Sequence, residues 1–224
     1  MAILLLIAML SVLIVAHFLF GRGPLAEPAP RHRQLAQAQS KAPAHMVEGF
    51  EMPDYLRYHP GHTWVLAEGP KYTRAGVDQF AARLMGKIEG VVLPQRGRWI
   101  RQGQKAWTLV HNGQKIDMVS PIEGIVTDVN EALLADPDLV RRDPYGAGWL
   151  MSVEAPDAKT VLRNLLGGTL AHKWMEDASA RLRSRLPALA GAVAQDGGPA
   201  VEDLSTCIPE QEWGPLVREL CLDQ

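Results

Sequence analysis

The side chains that could do chemistry in this chain are few, and their spacing mostly argues against it. His59 and His62 stand three apart, a spacing that can gather a metal when both lie on a helix. Pro60 and Gly61 lie between them, no third ligand is near, and no metal site is expected. Cys207 and Cys221 are the 2 cysteines. They form no CxxC or Cys/His pattern, cannot build a disulfide framework, and read as free thiols. Tyr145 and Trp149 could wall a ligand pocket, but core packing is the better reading. No nucleophile–base pair, carboxylate pair or phosphate loop is evident, Gly167-Gly168 included. The chain therefore reads as a non-enzyme.

One segment does present residues at an exposed tip. Residues 106–111 (AWTLVH) and 114–120 (QKIDMVS) are strand-like, with Asn112-Gly113 between them. Asn-Gly in that setting predicts a two-residue type I′ hairpin, which needs positive φ at both central positions. His111, expected as an exposed strand-end residue, joins Asn112 and Gly113 as a candidate partner contact. Lys115 lies two residues past Gly113, on the same strand face but below the tip.

The elements around this hairpin are short. Thr63-Trp64-Val65-Leu66, residues 88–93, 124–129 and 149–153 read as strands bounded by Gly and Pro. Residues 76–86 read as a helix with Val77, Phe80, Ala81 and Leu84 on one face. Residues 130–140 are helical in character, with Asn130 as cap. Residues 159–185 read as helix interrupted at Gly167-Gly168, with Val161, Leu162, Leu165 and Leu166 in one apolar cluster and Leu170, Trp174 and Met175 in the next. Trp213, Leu216, Val217 and Leu220 recur at helical spacing in an amphipathic tail. That tail is either a partner-docking element, with Trp213, Leu216 and Leu220 as anchors, or a flap over its own domain.

The chain has 224 residues, 47% hydrophobic and 21% charged, with a formal net charge of -2. That is an ordinary globular mixture, and it gives no case for nucleic-acid binding. Residues 1–20 are apolar apart from Ser11 and His17, the length a helix needs to cross a bilayer. Arg22, Arg31, Arg33 and Lys41 follow, so the expected topology is a single-pass anchor in the cell inner membrane with the globular part on the cytoplasmic side. Small-residue sites near Ala26 and Ala29 leave a cleaved signal peptide as the alternative. The expected organisation is a transmembrane anchor at 1–20, a flexible tether at 21–53, a folded domain at 54–186, and a linker with a short tail at 187–224.

Three strings carry a resemblance. Asn130-Glu131-Ala132-Leu133 is followed by Pro137-Asp138-Leu139-Val140 and then Asp143-Pro144-Tyr145-Gly146-Ala147-Gly148-Trp149-Leu150. Together these are similar to the segment after the lipoyl hairpin in glycine cleavage system H proteins. His62-Thr63-Trp64, Gly76-Val77, Met85-Gly86-Lys87-Ile88, Leu93-Pro94, Gly103, Pro121 and Gly124 also resemble that family, over about residues 56–175. The resemblance implies a mainly β fold with helices, the barrel-sandwich hybrid (lipoyl or hammerhead) with a C-terminal helix.

The family carries lipoate on a lysine eight residues before a proline. Eight before Pro121 is Gly113, and Asp117 matches the family's aspartate, so Gly113 occupies the lipoyl position. The expectation is an H-like, membrane-tethered protein that carries no cofactor. It would serve as an interaction scaffold or accessory subunit of a cytoplasmic or membrane enzyme complex. The alternative is a carrier lipoylated on Lys115 that moves C1 units or reducing equivalents.

Overall fold

The computed structural model describes residues 44–185 and 200–221. The chain begins there with a hairpin, β1 (Ala44–Val47) and β2 (Phe50–Pro53), paired antiparallel with Val47 opposite Phe50. Then come β3 (Arg57–His59), β4 (Thr63–Ala67), β5 (Tyr72–Val77) and α1 (Gln79–Met85). Next are β6 (Gly90–Val92), β7 (Trp99–Ile100), β8 (Lys105–His111), β9 (Gln114–Val119) and β10 (Gly124–Val129). Two short helices, α2 (Ala132–Ala135) and α3 (Leu139–Arg142), precede β11 (Met151–Glu154). The remaining described helices are α4 (Ala158–Arg163), α5 (Thr169–Arg185) and α6 (Glu210–Cys221).

A six-stranded sheet runs β3-β4-β5-β11-β10-β7, and a three-stranded sheet runs β6-β8-β9. Every pairing among the described residues is antiparallel. This is mainly β with flanking helices, as expected for a barrel-sandwich. The core is continuous: Trp64, Phe80, Trp107, Met118 and Val153 are all at most 1% exposed. Trp64 also donates its indole N–H to the carbonyls of Val77 (2.9 Å) and Pro144 (3.1 Å), which satisfies its buried polar atom.

Asp78 holds the start of α1. One carboxylate oxygen accepts from Ala81 N at 2.9 Å, a helix cap, and the other lies 2.8 Å from His62 Nδ1. Both side chains are fully buried, and the imidazole stacks on Phe80 at 4.3 Å. His62 is therefore a core histidine held through Nδ1, and His59 Nδ1 accepts from Gly61 N at 3.0 Å.

Three expectations are corrected by this architecture. Residues 44–53 are not tether: Phe50 and Met52 alternate into the core, and Tyr145 Oη donates to Glu51 O at 2.6 Å to latch the hairpin. The helix expected at 130–140 is two short helices, because Pro137 offers no N–H to continue the first. Asn130 Oδ1 accepts from Ala132 N at 3.3 Å, as expected of a cap, and its Nδ2 also ties the Asp143-Pro144-Tyr145-Gly146 turn by donating to Ala147 O (2.7 Å) and Trp149 O (2.8 Å). The interruption expected at Gly167-Gly168 separates α4 from α5, whereas Leu170 is 63% exposed rather than packed.

The expected location, a single-pass inner-membrane protein with its domain on the cytoplasmic side, is also overturned. Among the described residues no helix is long and apolar enough to cross a membrane. The longest of them, α5, has 17 residues and bears Lys173, Glu176, Asp177 and Arg181 along its exposed side. The apolar run at 1–20, the spacer at 21–43 and the linker at 186–199 lie outside the described residues.

Candidate functional site: the β8–β9 hairpin and its cover

Turn chemistry and register place the tip where the sequence puts it. Asn112 has φ 46° and Gly113 φ 72°, the left-handed pair that a type I′ turn requires. His111 faces Gln114 across the turn, and Val110 faces Lys115. Asp117 is fixed on β9 by Thr108 Oγ1, which donates at 2.7 Å, and by Lys105 Nζ at 2.7 Å. Asn112 and Gly113 are exposed, and a Cβ at Gly113 would meet nothing within 4 Å. The tip carries no amine. Lys115 is exposed but sits on the strand, beyond the Gln114 position that closes the turn.

His111 departs from expectation. It is 8% exposed, its Nδ1 lies 2.8 Å from Lys87 O, and its ring lies 4.7 Å from that of Trp213. A carbonyl only accepts, so Nδ1 carries the proton. His111 is thus a packing residue at the root of the tip rather than an exposed partner contact.

What covers it is the chain's own tail. Trp213, Leu216 and Leu220 are 3%, 6% and 1% exposed, with α6 packed on β9 and α1. Trp213 Nε1 donates to Leu84 O at 3.0 Å, which satisfies a carbonyl near the end of α1. The segment before α6 is seated as well. Ala200 N donates to Gly49 O at 2.8 Å, and Arg83 Nη1 donates to Ala200 O. Gly86, at φ 71°, lets Ser205 and Asp203 come so close that a Cβ would overlap both side chains. Of the two readings left open for the tail, the structure takes the flap. Its three anchors are not free to dock a partner, because burial against α1 and β9 already uses them.

Sequence reading misses Gly86, Ala200 and Asp203 as docking residues. Gly86 had a signal, a glycine closing a helix, but its neighbour in space lies far along the chain. Between tip and tail remains a cavity of about 350 Å³ lined by Lys87, Asn112, Gln114, Asp203, Thr206 and Glu210. Tyr145 and Trp149 are packing residues: Tyr145 Oη also accepts from Gln79 N at 3.0 Å, and the Arg74 guanidinium lies 5.1 Å from the Trp149 ring. Burial pushes the Tyr145 hydroxyl well above its ordinary pKa.

The two cysteines differ sharply. Cys221 is fully buried at the end of α6, and burial pushes its thiol above the ordinary range, whereas Cys207 is exposed. A native thiol titration at pH 8 is therefore expected to count one prompt equivalent, and a second only in denaturant. Two prompt equivalents would show that α6 is not docked.

An antiparallel β domain with a projecting two-residue hairpin and a helical cover is the class that the fold defines. The glycine cleavage H-protein family model matches residues 56–178. The chain is 36% identical to the glycine cleavage system H protein of Mycobacterium avium over 111 residues, 50% of this chain and 84% of that one. It is 37% identical to that of Alteromonas mediterranea over 110 residues, 49% and 85% of the two chains. It is also similar to the crystal structure of an H protein from Mycobacterium marinum, with TM-score 0.49 and 27% identity over 56% of this chain and 98% of that one. This chain belongs to the glycine cleavage H-protein family. Proteins of this family carry lipoate, have no catalytic activity of their own, and work with the glycine cleavage enzymes.

Proposed function

We propose that this H-like protein acts as a non-catalytic interaction module, a scaffold or accessory subunit of an enzyme complex, and carries no lipoyl group on its hairpin. The observation behind this reading is the tip. Lipoate is held by an amide to a lysine ε-amine projecting from the turn, and Asn112 and Gly113 offer none. The register supports it on both sides, since Asp117 and Pro121 hold their family positions while the turn closes at Asn112-Gly113. The residues present at the tip thus do not fit the group. The alternative, a carrier modified on Lys115, needs a ligase to reach an amine on the strand, beside Val110.

Restoring the amine tests this. The Asn112→Val/Gly113→Lys chain, co-expressed with lipoate ligase and free lipoate, is expected to gain one lipoyl group, because the new side chain enters open space. Valine at φ 46° and lysine at φ 72° each cost about 1–2 kcal/mol, so the variant's unfolding midpoint is measured alongside its mass to show that it folds. Failure of the double variant to accept lipoate, with Lys115 modified instead, would contradict the reading.

A further inference from the structure

A broad open groove of about 1030 Å³ lies between β3, β4, α4 and the start of α5. Its floor is apolar: Val65 and Leu165 are buried, Leu162 is half-buried, and Leu170 stands exposed at the rim. Lys159, Leu162 and Arg163 share one face of α4 by their i, i+3, i+4 spacing. Arg57 reaches in from β3 and lies so close to Gly167 that a Cβ there would overlap its guanidinium.

The charges are unequal. Among the described residues lining the groove, Asp54 is the one carboxylate. It is already shared by His45 Nε2 at 3.1 Å and His172 Nε2 at 3.6 Å. Asp157, the cap of α4, accepts from Thr160 N at 3.0 Å and also interacts electrostatically with Arg163 and Lys159, without forming an ion pair with either. Arg57, Lys159 and Arg163 are exposed and make no ion pair among the described residues. Three exposed cations without an ion pair among the described residues stand around an apolar floor and, in a chain of net charge -2, form a local positive field facing outward.

We propose that this groove docks an acidic amphipathic segment of a partner protein. Carboxylates of that segment meet Arg57, Lys159 and Arg163, and its apolar side chains cover Leu162, Leu165 and Leu170. Charge complementarity selects the occupant: a basic segment would be repelled, and a wholly apolar one would strand the three cations. The groove is where the interaction module takes its partner, so the inference rests on that reading of the protein.

The probe is a fluorescein-labelled helical peptide about five turns long, with Leu at i, i+3, i+4, i+7 and Glu elsewhere. Its control replaces every Glu by Lys. Fluorescence anisotropy with the full chain in non-ionic detergent is expected to show saturable binding of the Glu peptide, weakening as salt rises, and none of the Lys peptide. The Arg57→Gln/Lys159→Gln/Arg163→Gln chain is expected to bind the Glu peptide about tenfold more weakly, at roughly twofold per exposed charge pair. These positions are on the surface, so its unfolding midpoint stays that of the wild type. Equal binding by wild type and triple variant, or no binding by either, overturns the groove. So does a wild-type dimer that the triple variant dissociates, because the occupant is then a second copy of the chain. None of these outcomes touches the lipoylation result, so loss of the groove and loss of the scaffold reading remain distinguishable.

Discussion

Trp213→Ala is expected to remove about 4 kcal/mol of folding stability, at the upper end for a large-to-small change in a core. The indole is 3% exposed and wedged between His111 on β8 and the end of α1. Deleting it leaves a cavity and strips Leu84 O of its donor, a loss of about 1–3 kcal/mol for a buried group left unpaired. Equilibrium denaturation measures the total. Hydrogen exchange adds the location, since α6 and the hairpin root are expected to lose protection before the six-stranded sheet does. If α6 were a free arm awaiting a partner, the substitution would cost under about 0.5 kcal/mol. Residues 210–221 would then exchange fast in the wild type already.

Asp78→Ala is the second large effect, about 3 kcal/mol. Two roles are lost together: the cap on Ala81 N, worth about 1 kcal/mol, and the partner of His62 Nδ1. The second matters more, because His62 is fully buried and its Nε2 has no hydrogen-bond partner among the described residues. Removing the carboxylate leaves the ring without a polar partner in a site that cannot hydrate it. For a domain of this size that is a fall of roughly 10 °C in Tm. Asp78→Asn keeps an acceptor for Ala81 N and is expected to lose clearly less. Equal Tm values for the Ala variant and the wild type would show that the pair is not a stabilising element.

How much of this was legible in the sequence depends on distance along the chain. The hairpin was legible because Asn112-Gly113 sets its own turn by positive φ, and because Asp117 and Pro121 fix the register locally. The turn after α3 was legible for the same reason, since Asp143 accepts from Gly146 N and Ala147 N within five residues. The burial of His111 was not legible, because the indole that covers it arrives from the far end of the chain. An amphipathic pattern such as Trp213, Leu216, Val217 and Leu220 states that a face is buried without stating against what. β1 and β2 were lost at the end of a stretch rich in Ala, Pro and Gln, with little apolar periodicity, that suggested a tether. The alternation of Phe50 and Met52 was the available signal, and four-residue strands are too short to raise it above that background. The groove cations were invisible for another reason. Lys159 and Arg163 share α4 but Arg57 comes from β3, and only the packing of α4 beside β3 and β4 brings the three together.

The tip decides what this H-family member does, and the intact mass of the full wild-type chain, after co-expression with lipoate ligase and free lipoate, tests it most directly. The account predicts the unmodified mass. A mass raised by one lipoyl group in the wild type, and returned to the unmodified value by Lys115→Ala, would contradict it and make this protein a carrier with its arm on the strand below the turn.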